Sequence, residues 1–132
     1  MTRGELHHIE IWVPSLDRSI RSLGWLLEAL GYEAFQVWEH GRSWRRGATY
    51  IVIEESPALL DLDYSRFRPG LNHLAFHCGA KHECDRLIAE ALARGWELLF
   101  SEKHPHAGGP DHYAGFITDQ DGFEVELVAD AE

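Results

Sequence analysis

One pattern is written twice along this chain, and that repeat limits the fold more than any other feature. His8-Ile9-Glu10-Ile11 in the first half matches His73-Leu74-Ala75-Phe76 in the second. Each segment is followed by a stretch of helical period that ends at a glycine, an aromatic residue and a glutamate: Gly31-Tyr32-Glu33 and Gly95-Trp96-Glu97. The His-to-Gly separation is 23 residues in the first copy and 22 in the second. From the glycine to the acidic end of the last strand, Glu54 or Glu126, the separations are 23 and 31. The surplus of 8 matches an inserted loop, His104 to Asp111. Self-similarity at this scale marks a duplicated unit, so whatever one half folds into, the other repeats.

The unit itself is strand, helix, then three strands. Residues 6–13 (LHHIEIWV) alternate apolar and polar side chains, as a half-buried strand does. Pro14 breaks the strand, Ser15 can cap a helix, and Ile20, Leu23, Leu26, Leu27 and Leu30 recur at helical spacing before Gly31. Strands are expected at 32–38, 43–46 and 48–54, with turns at His40-Gly41 and Gly47. The second copy gives a strand at 71–78, a helix at 81–94, and strands at 96–101, 112–118 and 123–128, the last two joined by Asp119-Gln120-Asp121-Gly122. The reading is an α+β fold of two tandem βαβββ modules in one domain: module one 1–55, a linker 56–70, module two 71–132.

Side chains alternate faces along a strand. One face carries Ile9, Ile11, Val13, Ile51, Ile53, Leu74, Phe76, Cys78, Phe123, Val125 and Leu127, apolar throughout and suited to packing under helices. The opposite face carries His8, Glu10, Trp12, Tyr50, Glu54, His73, His77, Glu124 and Glu126. Two histidines, His8 and His73, open the first strand of each module, and two glutamates, Glu54 and Glu126, end the last. Neutral imidazole nitrogens and carboxylate oxygens suit Zn, Ni, Co, Mn or Fe(II), and three such ligands with open positions make a Lewis-acid or oxygen-activating centre. His7 has the opposite parity and is expected to point away. Glu10 shares a face with His8 and is a candidate base or substrate contact. Gly108 and Gly109 give the 104–111 loop the freedom of a lid.

LHHIEIWVPSLDRS and GLNHLAFHC resemble the openings of the two modules in the vicinal oxygen chelate superfamily (glyoxalase I, fosfomycin-resistance enzymes, bleomycin-resistance proteins and extradiol dioxygenases). HYAGFITDQDGFEVELVA resembles the closing hairpin of the same superfamily, with Gln120 where a proline is usual. The resemblance covers the whole chain. It implies a cup-shaped mixed sheet with helices on the convex face, often completed by a second chain, hence a homodimer. It also implies a divalent metal on His8, His73 and Glu126, with Glu54 as a fourth ligand or a displaceable base. The activity implied is that of a glyoxalase-type lyase or isomerase. Such an enzyme acts on a small oxygenated substrate through a metal-stabilised enolate-type intermediate, with Glu54, Glu126 or Glu10 handling the proton. The alternatives are a bleomycin-resistance-type protein that sequesters a small cationic ligand, or an Fe(II) dioxygenase.

Charge narrows the partners further. With 22 acidic and 12 basic residues the formal net charge is -10, which repels nucleic acid and anionic membrane. The only two cysteines, Cys78 and Cys84, are too few for a disulfide scaffold. Without an evident leader or apolar span, the expectation is a cytoplasmic protein with reduced thiols, Cys78 being a small buried hydrophobe.

Overall fold

The computed structural model describes residues 3–131. The chain divides into two compact units, one running to Asp63 and the other starting at Tyr64, so the division falls inside the expected linker.

The first unit contains strand β1 (His8–Trp12), helix α1 (Leu16–Ser19), a π-helical turn (Ile20–Gly24), helix α2 (Trp25–Ala29), and strands β2 (Glu33–Trp38), β3 (Gly41–Arg46) and β4 (Thr49–Glu54). Its sheet order is β1-β4-β3-β2. The second unit has β5 (His73–His77), α3 (Lys81–Ala93), β6 (Glu97–Leu99), β7 (Ala114–Thr118) and β8 (Glu124–Val128), in the order β5-β8-β7-β6. In each unit the first strand pairs in parallel with the last, and the remaining pairings are antiparallel. This is the tandem βαβββ α+β fold that the repeat predicts.

Local chemistry explains where the helices begin and end. Ser15 Oγ accepts from the Arg18 N–H at 3.2 Å, and the Glu55 carboxylate accepts from the Leu16 N–H at 2.8 Å, so two free donors of the first helical turn are satisfied. At the other end the Tyr32 N–H reaches back to the Leu27 carbonyl and the Gly31 N–H to that of Glu28. The second unit repeats this with Trp96 to Ala91 and Gly95 to Leu92. Both closures need a left-handed residue, supplied by Gly31 (φ 93°) and Gly95 (φ 98°).

Each sheet buries one face against its own helix. Val13, Leu26, Ile53, Ile117, Val125 and Leu127 are almost wholly buried. Each such aliphatic side chain contributes about 1.5–3 kcal/mol. Trp44 lies on the helix side of β3 and packs so closely on Gly24 that a methyl group there would sit 2.7 Å from its ring. Trp44 is therefore a core residue. Strand β2 is the edge of its sheet and slips register between Ala34 and Val37, a β-bulge.

The cysteine expectation is overturned. Cys78 and Cys84 are joined as a disulfide, with Cα atoms 5.3 Å apart. Cys78 follows β5 and Cys84 is a fully buried residue in the first turns of α3, so the strand-to-helix connection brings them together. Spacing rules for disulfide scaffolds and zinc ribbons have no purchase on so short a link.

Candidate metal and acid-base site

In the second unit, strands β5, β7 and β8 turn one sheet face away from α3, and that face carries His73, Glu124, Glu126 and Phe116. The pairing places His73 opposite Glu124, Ala75 opposite Glu126 and Phe116 opposite Glu126. Parallel pairing thus sets His73 diagonally beside Glu126, where its Nε2 lies 3.1 Å from Oε1. His112, which follows the 104–111 loop, puts its own Nε2 in hydrogen-bond contact with Oε2 of the same carboxylate. Glu126 is only 8% exposed, so water cannot take the place of these two partners.

The neighbouring carboxylate has partners of its own. Glu124 is 7% exposed and accepts from the Arg66 guanidinium, with Nε 2.8 Å from Oε1. Its Oε2 lies 3.8 Å from His73 Nδ1. On the same ring nitrogen, Asn72 Oδ1 stands at 2.7 Å. Phe116 meets the His73 ring edge-on at 5.9 Å, and Phe100 packs on Phe116 at 5.5 Å, giving the site an apolar side. Tyr64 closes the linker end. It stacks on Phe123 at 4.0 Å and donates to the Leu71 carbonyl at 2.7 Å, and burial holds its hydroxyl pKa above the usual 10.0. Tyr113 is also raised, first by its hydrogen bond to Asp85.

The inserted loop forms one border of this site. It is a chain of tight turns, with Lys103, His104 and His106 N–H groups bonded within the segment and Ala114 N–H bonded to the Pro105 carbonyl. Gly108 is needed because a Cβ there would lie 2.6 Å from the His112 ring. A cleft of about 410 Å³ opens beside His112, lined by Lys81, His106, Asp111, Tyr113 and Asp130 among others.

The first unit treats its candidates differently. His8 pairs opposite Tyr50 and stacks on its ring at 4.8 Å, while Glu54 pairs opposite Trp12, four residues further along. Within this sheet the two are therefore about 13 Å apart and do not meet. The Trp38 indole donates to Glu54 at 3.0 Å, and the Trp12 indole to Glu10 at 2.7 Å. The pairing also corrects the equivalence of the glutamates. Tyr50 occupies the place of Glu124, Val52 that of Glu126, and Glu54 that of Val128. His7 does not turn away: its Nδ1 lies 2.9 Å from that of His8, and its ring meets Tyr50 at 5.4 Å. His7 precedes β1, so strand alternation does not bind it.

His112, Arg66 and Asn72 escape the sequence reading because they lie in loops, where alternation says nothing about direction. The available signal is that the inserted segment and its end hold three histidines, His104, His106 and His112. Among the described residues no three His, Cys, Asp or Glu side chains enclose a common point as a ready cage for an ion. Donor chemistry nevertheless fits a divalent cation. Two imidazole nitrogens face one buried carboxylate, and each N···O contact requires a proton or another cation between lone pairs.

Comparison with known proteins agrees with this architecture. Residues 7–116 match the family described as the Glyoxalase/Bleomycin resistance protein/Dioxygenase superfamily. The uncharacterized protein YqjT of Bacillus subtilis (strain 168) is 44% identical over 125 residues, covering 94% of this chain and 98% of that one. A crystal structure from Bacillus halodurans, named provisionally as a glyoxalase, is 42% identical and covers 98% of both chains with a TM-score of 0.92. The fosfomycin resistance protein FosX of Listeria monocytogenes was solved with Mn(II) and 1S,2S-dihydroxypropylphosphonic acid. It shares the fold at 21% identity and a TM-score of 0.66, over 95% of this chain and 89% of that one.

Proposed function

Because the chain belongs to the glyoxalase/bleomycin resistance protein/dioxygenase superfamily, we propose that it is a divalent-metal-dependent enzyme of the glyoxalase type, a lyase or isomerase acting on a small oxygenated substrate. The observation that carries this reading is Glu126, a buried carboxylate with an imidazole nitrogen on each oxygen. His73 and Glu126 are the donors to the ion, and His112 is the group beside them able to hold or release a proton at Nε2. A bound divalent ion supplies Lewis-acid stabilisation of charge that develops on a substrate oxygen. Phe116 and Phe100 limit water on one side, which strengthens every charge interaction in the site. Arg66 offsets Glu124, so the second buried carboxylate does not compete for the cation.

The test is calorimetric titration of chelator-stripped protein with Mn(II), Zn, Ni, Co and Fe(II). Mn(II) comes first because the FosX structure contains it. At least one ion should bind at micromolar concentration, and Glu126→Gln should weaken it by at least about tenfold. The same titration on His8→Gln, Glu54→Gln and Glu10→Gln sorts the candidates of the first unit. If His8→Gln lowers affinity, His8 joins His73 and Glu126 as a ligand; if affinity is unchanged, it is not one. Glu54→Gln and Glu10→Gln should spare binding, because the Trp38 and Trp12 indoles already hold these carboxylates. Absence of binding, or full binding by Glu126→Gln, overturns the reading. The high net negative charge would then favour a protein that sequesters a small cation.

A further inference from the structure

Asn72, just before β5, and Glu124 of β8 face the ring nitrogen of His73 that points away from Glu126. Asn72 presents its side-chain oxygen to His73 Nδ1 at 2.7 Å. The orientation of this amide is fixed independently, because Asn72 Nδ2 is 3.1 Å from the Arg66 carbonyl oxygen. A carbonyl oxygen only accepts, so the NH2 end must face it and the oxygen must face His73. Glu124 Oε2, 3.8 Å from the same nitrogen, is a second group that only accepts when ionised. Arg66 therefore orders both acceptors, Asn72 through its carbonyl and Glu124 through its guanidinium.

Two acceptors on one ring nitrogen keep a proton there, while the Nε2–Glu126 contact on the other side holds a proton until a cation replaces it. We infer that Asn72 is a positioning residue that keeps His73 protonated on Nδ1, so that Nε2 is the nitrogen whose lone pair meets the cation proposed beside Glu126. The inference rests on the metal reading for its purpose, but the tautomer belongs to the protein itself. Without the Asn72 oxygen, the imidazole loses its nearest reason to protonate Nδ1. It can then hold its only proton on Nε2, which makes a direct hydrogen bond to Glu126 and leaves no lone pair for an ion.

Nitrogen-15 NMR of the imidazole rings in chelator-stripped, labelled protein reads the tautomer directly, with His73→Gln assigning the signal. The measurement is made above the pH at which histidines are charged. Wild type should show a protonated Nδ1 for His73. Asn72→Ala should move the ring to the Nε2–H form, and Asn72→Asp, which keeps an acceptor at the same place, should restore the Nδ1–H form. Mn(II) affinity should follow the tautomer, falling by about tenfold or more in Asn72→Ala and recovering in Asn72→Asp. An unprotonated Nδ1 in wild type, or an Nδ1 unchanged in Asn72→Ala, overturns the inference. If the tautomer moves as expected while neither protein binds any ion, the positioning role stands and the metal reading fails.

Discussion

At the level of single residues, burial decides which charges matter. Glu124 is a largely buried carboxylate, and Arg66 is its cationic partner. Removing one member of such a pair leaves an uncompensated charge, whereas removing both replaces it with ordinary packing. Arg66→Met should therefore destabilise the protein by about 2 kcal/mol in urea unfolding, less than a fully buried pair because Arg66 is partly exposed. Arg66→Met with Glu124→Met should recover most of that loss. If the double variant is as unstable as the sum of the singles, the pair is not coupled. Alternation placed Glu124 on the polar face, but nothing in the sequence marked Arg66. Arg66 sits in a linker of mixed composition, and its role depends on where the linker runs. His73 and Glu126 were legible because a histidine and a glutamate of the right parity recur in strands that the repeat identifies.

At the level of elements, alternation gave the faces correctly and one row incorrectly. An error of two residues leaves a side chain on its proper face, so parity cannot detect it. The Glu54–Glu126 equivalence is such an error. The pairings His8 with Tyr50 and His73 with Glu124 show that the distance from the helix-ending glycine to the matching strand position differs by 10 residues between the halves, not 8. Strand register is set by hydrogen bonding between β1 and β4 or β5 and β8, and loop counting sees only the sum of the connections. Glu55, one residue on, shows the other outcome: it points to the helix side and caps α1. The linker end offers an element-scale test. Tyr64 fastens it by a ring stack on Phe123, just before β8, and by a hydroxyl bond to the Leu71 carbonyl, just before β5, and its pKa is raised chiefly by burial. Tyr64→Phe should cost about 1 kcal/mol at neutral pH. A raised folded-state pKa favours the native state fully below the unfolded value of 10.0 and loses that advantage as pH rises through the folded value. The gap between wild type and Tyr64→Phe should therefore narrow in strongly alkaline solution. A constant gap across that range, measured by denaturant midpoints, would show that the hydroxyl does not ionise differently in the two states.

For the molecule as a whole, the formal charge of -10 on 132 residues means that like charges repel across the surface. Monovalent salt shortens the reach of that repulsion, from about 30 Å at ~0.01 M to about 8 Å at ~0.15 M. The Tm should rise by several degrees over this interval in sodium chloride, as read by scanning calorimetry with chelator present. A falling Tm would mean that attractive pairs such as Arg66–Glu124 outweigh the net repulsion. No helix among the described residues is long and apolar enough to cross a membrane. The bulge in β2 bears on a different hazard. Phe35 and Val37 stand 40% and 73% exposed on a sheet rim, the kind of sequence that recruits a passing strand and seeds fibres. Growth of that sort needs an unbroken row of evenly spaced amide donors and carbonyl acceptors. The slip between Ala34 and Val37 interrupts the row at the two apolar residues, and Arg45 lays its guanidinium 4.3 Å over the Phe35 ring. An arriving chain finds a template only two or three residues long on either side, which is too short to hold it.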